Sequence, residues 1–247
     1  ISGNTSGGDG GGVRSGGTTE LIDADLTVNR AGGVGGGLWS AGSVTLTDST
    51  VSENRATLEG GGIHQGGGTA TLTRSTVFGN SAGSSGGGLW ASGGATLVNA
   101  TIADNHAGQN GGGIRHSGGT ISLTNTTVSG NAAGGIGGGV WSDGTVILAN
   151  TLIAGNRAVD SNDLQGDVTT NSSGNLIGDG TGMTGLVDGN NFNQVGTGSR
   201  PINARLSPLG DYGGSTPTMQ LLAGSPALNG GLGGGGIPAT GQRGFAR

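Results

Sequence analysis

Three tryptophans, Trp39, Trp90 and Trp141, stand 51 residues apart, and Arg14, His64 and Arg115 fall between them at about half that spacing. Each of the six follows an aliphatic residue preceded by three glycines: Val13, Leu38, Ile63, Leu89, Ile114 and Val140. Aromatic and cationic side chains on one line suit two kinds of chemistry. They can stack on one another through cation–π contact, or present an exposed aromatic strip that grips a sugar ring or a neighbouring subunit. A second line holds Asp23, Asp48, Arg74, Asn99, Asn125 and Asn150. Two carboxylates beside a guanidinium, with Asp25 nearby, could hold a cation. The same residues suit a turn in which Asx side chains bond local backbone, which is the preferred reading. His64, His106 and His116 occupy different positions of the repeat, so a histidine metal cluster is not expected. Asp160, Asp163, Asp167, Asp179 and Asp188 are scattered without an EF-hand spacing. No catalytic residue, metal ligand or cofactor site emerges.

What positions these lines is a repeat. Asn4, Asn29, Asn54, Asn80, Asn105, Asn131 and Asn156 recur every 25 or 26 residues. Leu21, Leu46, Leu72, Leu97, Leu123 and Leu148 precede the second to seventh Asn by eight residues. Leu26, Val51, Val77, Ile102, Val128 and Ile153 precede them by three, and Ala31, Ala56, Ala82, Ala107, Ala133 and Ala158 follow by two. Apolar positions alternate within each copy, which is the period of a strand. Glycine at this density argues against helix.

Short strands joined by glycine and Asx turns, one copy per turn, describe the coil of a parallel β-solenoid. Residues 1–158 form its regular coils, and residues 159–247, which contain all five prolines, form irregular further coils and a cap on the same solenoid. Equivalent residues stack in columns about 4.8 Å apart. The aliphatic columns fill the core. Asn29, Asn54, Asn80, Asn105, Asn131 and Asn156 form an internal amide ladder, and Arg14, Trp39, His64, Trp90, Arg115 and Trp141 face outward as the candidate binding column. The Trp coils run eight residues to the next core Leu and the His64 and Arg115 coils nine, so the unit is partly a two-coil one. The Thr and Ser flanking the core Leu face solvent. They do not make a regular ice-binding array, because Val98, Ile147 and Ala149 interrupt it.

Composition sets the outer limits. Glycine supplies 62 of 247 residues without a three-residue period, which excludes collagen, and 31% hydrophobic residues with a net charge of −5 argue against disorder by charge. All ten basic residues are Arg and are outnumbered by fifteen acids, so nucleic acid is not an expected partner. No apolar run reaches the length of a membrane span. The absence of Cys excludes disulfides and thiolate metal sites. The chain opens on Ile1 without a visible signal peptide, as a trimmed piece of a longer protein would.

The pairing of Gly60-Gly61-Gly62-Ile63 with Val77-Phe78-Gly79-Asn80 resembles the repeats of polymorphic outer membrane proteins and related β-helix surface proteins. The run from Leu206 to Thr218, with Leu221-Leu222-Ala223-Gly224-Ser225-Pro226-Ala227 and Gln242-Arg243-Gly244-Phe245, is similar to the choice-of-anchor Q domain of bacterial cell-surface proteins, with Gly241 where an acid is expected. The resemblance implies an all-β, right-handed, single-stranded parallel β-helix that is extracellular, on a bacterial cell surface, with no catalytic residues to carry over. The function expected is that of a non-enzymatic structural or adhesive surface module. Its expected partners are further copies of itself, other surface proteins or glycans. The rival is a carbohydrate-active β-helix, either a polysaccharide lyase or a glycoside hydrolase.

Overall fold

A computed structural model describes residues 1–234 and 237–246; expectations that touch residues 235, 236 and 247 lie outside them. The chain winds as a β-solenoid whose coils stack in three sheets, and among the described residues the strands of these sheets pair in parallel, with isolated antiparallel bridges such as Leu206–Leu221 confined to the C-terminal stretch. The first sheet is narrow, with six two-residue strands from Thr5–Ser6 to Ala132–Ala133. The second has thirteen strands. It contains the Trp-bearing strands such as Leu38–Ser40 and the Leu-bearing strands such as Val44–Thr47, which fuse in the ten-residue strand Val140–Ala149. The third has eight, from Asp25–Thr27 to Gln194–Val195.

The register confirms the repeat read from the sequence. Ile63 sits between Leu38 and Leu89, Leu72 between Leu46 and Leu97, and Val77 between Val51 and Ile102. All nine are fully buried, so the aliphatic columns are the core. Burial of apolar area drives the winding, and the columns give each coil the same three walls.

The Gly-Gly-Gly block is required for three separate reasons, seen at Gly60 to Gly62. Gly60 has φ +63°, in the left-handed region that side chains disfavour. A Cβ on Gly61 would lie 2.4 Å from the carbonyl oxygen of Gly87, on the adjacent coil. One on Gly62 would lie 2.7 Å from the Gly88 oxygen and 3.0 Å from the Asn80 amide carbon. The block therefore turns the chain, lets coils touch, and leaves room for the Asn ladder.

The eight- and nine-residue alternation has a counterpart inside. The position two after the block's aliphatic reads Ser40, Gln65, Ala91, His116 and Ser142 through consecutive coils. The longer coils carry the large polar residues, Gln65 and His116, both fully buried. The extra residue widens the turn around them.

Pairing continues beyond Ala158: Leu164 is in register with Val140, Leu176 with Leu152 and Gln194 with Leu176. Gly196 N donates to Ile177 O and Ile202 N to Gly178 O, so this stretch lies over the last paired coil. The chain then returns along the flank of the third sheet, a course the sequence did not suggest. Thr76 Oγ1 donates to Pro217 O (2.7 Å), Thr216 Oγ1 to Arg74 O (3.0 Å) and Leu232 N to Asn150 Oδ1 (2.7 Å). A segment carrying Pro208, Pro217, Pro226 and Pro238 lacks the N–H groups of a ladder strand. It docks through side chains instead.

Candidate functional site

The Trp line is assembled in the expected order, with its cationic members stacked on its rings. Strand register stacks Arg14, Trp39, His64, Trp90, Arg115 and Trp141 in that order. The Arg14 guanidinium lies 4.6 Å from the Trp39 ring centroid and that of Arg115 3.6 Å from Trp141. His64 stacks on Trp90 at 4.3 Å with 3° between the planes. Trp39 and Trp90 thus have a neighbour in register on both sides and are half-buried. His64 and Arg115 are each only 8% exposed. One face of each tryptophan is thereby covered, by Arg14, His64 or Arg115, as the stacking reading of this line expects.

Burial between the rings pushes His64 down to about 4. Its Nε2 is 3.7 Å from Glu59 Oε2, while the buried Nδ1 has no hydrogen-bond partner. Arg115 Nη2 donates to Asp143 Oδ2 at 2.5 Å and its Nη1 bonds the His116 carbonyl oxygen. His116, on the inner side, shares a 2.8 Å hydrogen bond with Ser142 Oγ, and burial lowers its pKa as well.

The Asn line is a ladder of directed bonds. Asn29, Asn54, Asn80, Asn105 and Asn131 each donate from Nδ2 to Oδ1 of the next Asn at 2.9 to 3.0 Å. The same Oδ1 accepts the backbone N–H of the residue before it on the ladder, as in Asn80 N to Asn105 Oδ1 at 3.0 Å. Each Asn oxygen therefore takes two donors, and the ladder needs an acceptor at its end. That acceptor is Asp163, whose Oδ1 receives both the N and the Nδ2 of Asn156. Its Oδ2 receives the Asp179 N–H at 2.6 Å. Burial pushes the Asp163 carboxyl up to about 6 against the pull of these donors. Sequence reasoning placed Asp163 among scattered loop acids. The missed signal is its place seven residues after Asn156 and directly before Leu164, where the regular copies carry the third glycine of the block.

The Asp23, Asp48, Arg74, Asn99, Asn125 and Asn150 line is the turn column, and all six residues adopt φ between 47° and 52°. Asp48 is held by Arg74 Nε and Nη2 at 2.8 and 2.5 Å and by Ser215 Oγ at 2.7 Å. The Arg74 bond keeps its carboxyl below the ordinary range. Farther along, Asn125 Nδ2 donates to Asn99 Oδ1 (3.0 Å) and Asn150 Nδ2 to Asn125 Oδ1 (3.3 Å). This second, peripheral amide ladder is what the returning C-terminal chain grips.

A cleft of about 500 Å³ opens where the main ladder ends. It is lined by Asp163, Asp179, Arg157, Arg205, Asn162 and Asn203, with Ile202 and Leu206 among the apolar residues. Asp179 accepts from Asn162 Nδ2 and Thr181 N, so both carboxylates are already bonded within the chain. Comparison with known proteins gives no match: no family model, curated protein or solved structure is significantly similar to this chain.

Proposed function

We propose that the chain is a non-enzymatic structural or adhesive module of an extracellular, bacterial cell-surface protein, of the kind suggested by its resemblance to polymorphic outer membrane protein repeats and the choice-of-anchor Q domain. One observation carries this reading: the side chains suited to chemistry are spent holding coil to coil. The Trp faces are stacked on Arg and His, Asp48 is bound by Arg74, and the Asn amides bond one another. A rod whose polar groups are paired along its axis is suited to spacing and display.

A polysaccharide lyase or hydrolase is the second reading. It is favoured by the meeting of Asp163 and Asp179 in one cleft beside Arg157 and Arg205, since glycoside cleavage employs paired carboxyl groups. Incubation with polygalacturonate and with neutral glucans, followed by chromatography of the products, separates the two. Unchanged chain lengths are expected, and catalytic shortening of either polymer would overturn the non-enzymatic reading. Sedimentation over a range of protein concentrations, without ligand, reports whether the module also assembles with itself.

A further inference from the structure

A third line of side chains runs along the corner beside the Asn ladder. The residue after each ladder Asn reads Arg30, Arg55, Ser81, His106, Ala132 and Arg157, stacked in unbroken register. Arg30, Arg55, His106 and Arg157 are exposed, and none of them belongs to an ion pair among the described residues. Five coil steps place Arg157 about 24 Å from Arg30. Like charges directly opposed on adjacent strands are destabilising, yet Arg30 and Arg55 are neighbours with no carboxylate in contact.

The two sides of this row differ. On one lies a floor of backbone: Gly7, Gly32, Thr57, Gly83, Gly108 and Gly134, all exposed. A Cβ on Gly32, Gly83, Gly108 or Gly134 would stand 2.1 to 2.4 Å from a carbonyl oxygen of the adjacent coil, so the floor is held free of side chains except at Thr57, whose hydroxyl is turned onto the Ala31 carbonyl. On the other side, just before the ladder, stand the exposed acids Glu53 and Asp104, which repel an anion toward the glycine floor. At the far end Arg157 lines the 500 Å³ cleft, together with Arg205, whose Nη1 donates only to Ala223 O at 3.4 Å.

We propose that this row is a docking track for a linear uronate-type polysaccharide, lying on the glycine floor with its carboxylates against Arg30, Arg55 and Arg157 and one end in the cleft by Arg205. The inference deepens the adhesive reading, on which it rests, by naming the ligand class. Guanidinium groups match carboxylates bidentately, and a uronate chain offers one carboxylate per ring along a line. Single-stranded nucleic acid carries charge in a row too, but its binding sites supply aromatic platforms for the bases. The track has none among the described residues, and the tryptophans lie in another sheet.

The test is fluorescence anisotropy of a labelled oligogalacturonate titrated with the protein at low and at physiological salt. A neutral dextran and an oligothymidylate of matched charge serve as comparisons. Saturable binding that weakens with salt is expected, and the exposed double variant Arg55→Gln/Arg157→Gln should weaken it about tenfold. Arg14→Gln removes one charge from the Trp line and should change affinity less than about twofold. Thermal melting of each variant verifies that the fold is kept. The track is overturned by any of three results: no saturable binding at low salt, an equal loss in the Arg14 variant, or oligothymidylate binding as tightly as the uronate. Shortening of the oligogalacturonate would instead overturn the non-enzymatic reading and leave the track standing, so the two failures are distinct.

Discussion

At the scale of single residues, the solenoid turns ordinarily reactive groups into packing groups, and His64 shows the energetic consequence. The imidazole takes a proton at about pH 4 in the folded protein against 6.5 in the unfolded chain, because burial between Trp39 and Trp90 disfavours its charge. A base with a depressed folded pKa contributes stability above its unfolded value and loses it as pH falls through the folded one. Stability is therefore expected to decline from about pH 6.5 to pH 4, with a His64 share of about 3 kcal/mol. Asp163 works in the opposite sense. Its raised pKa makes the folded state gain protons between pH 3.8 and about 6, so its ionisation weakens the fold as pH rises. The His64 share is accordingly read as a difference. Urea midpoints of the protein and of His64→Gln, measured at pH 4.5 and pH 7, should converge on acidification as the wild-type chain loses its advantage. A gap that stays constant with pH would show that the stack does not lower the imidazole's pKa.

At the scale of the element, one coil is specified mainly by where side chains are missing. A methyl added to the exposed Gly7 would have nothing within 4 Å and no positive φ to oppose it, whereas the same methyl on Gly61 meets a neighbouring carbonyl at 2.4 Å. Gly61→Ala is expected to destabilise by about 1–3 kcal/mol, the usual range for overpacking. Gly7→Ala should be neutral or slightly stabilising through the unfolded chain. Paired chemical denaturation curves check this, and equal midpoints would remove close coil contact as the reason for the triplet. These contrasts also explain how far the coil could be read in advance. The triplet, the core Leu and the ladder Asn were legible because stacking forces the same residue type into every copy. The basic row was written in the same alignment at Arg30, Arg55, His106 and Arg157, but an exposed column is free to vary, and Ser81 and Ala132 interrupt it. The stacking of the Trp line was legible too, because Arg and His alternate with Trp along one column at a single coil's rise.

At the scale of the whole molecule, the least legible feature is the return of the C-terminal chain along the third sheet, since its contacts join residues 82 to 167 positions apart in a stretch that has lost the repeat. Gln242 is the hub of that return. Its Oε1 accepts from Thr101 Oγ1 at 2.7 Å, and its Nε2 donates to Thr76 Oγ1 and Thr216 Oγ1 at 2.8 and 2.9 Å. One amide thus fastens the returning chain to two successive coils and to itself. Other attachments each engage a single coil: Thr76 on Pro217 O, Thr216 on Arg74 O, Ser215 on Asp48, Thr240 O on Asn99 Nδ2, and Leu232 on Asn150. The solenoid's own bonds run along its axis and do not depend on this flank, so the two parts should open at different free energies. Gln242→Ala leaves the hydroxyls of Thr76, Thr101 and Thr216 without their amide partner. Hydrogen–deuterium exchange should then speed up across residues 206–246 while the amides of the Asn ladder, such as Asn80 and Asn105, keep their protection. If ladder protection fell in parallel with the flank, the returning chain would be part of the cooperative core, and the solenoid would need its strap in order to stay wound.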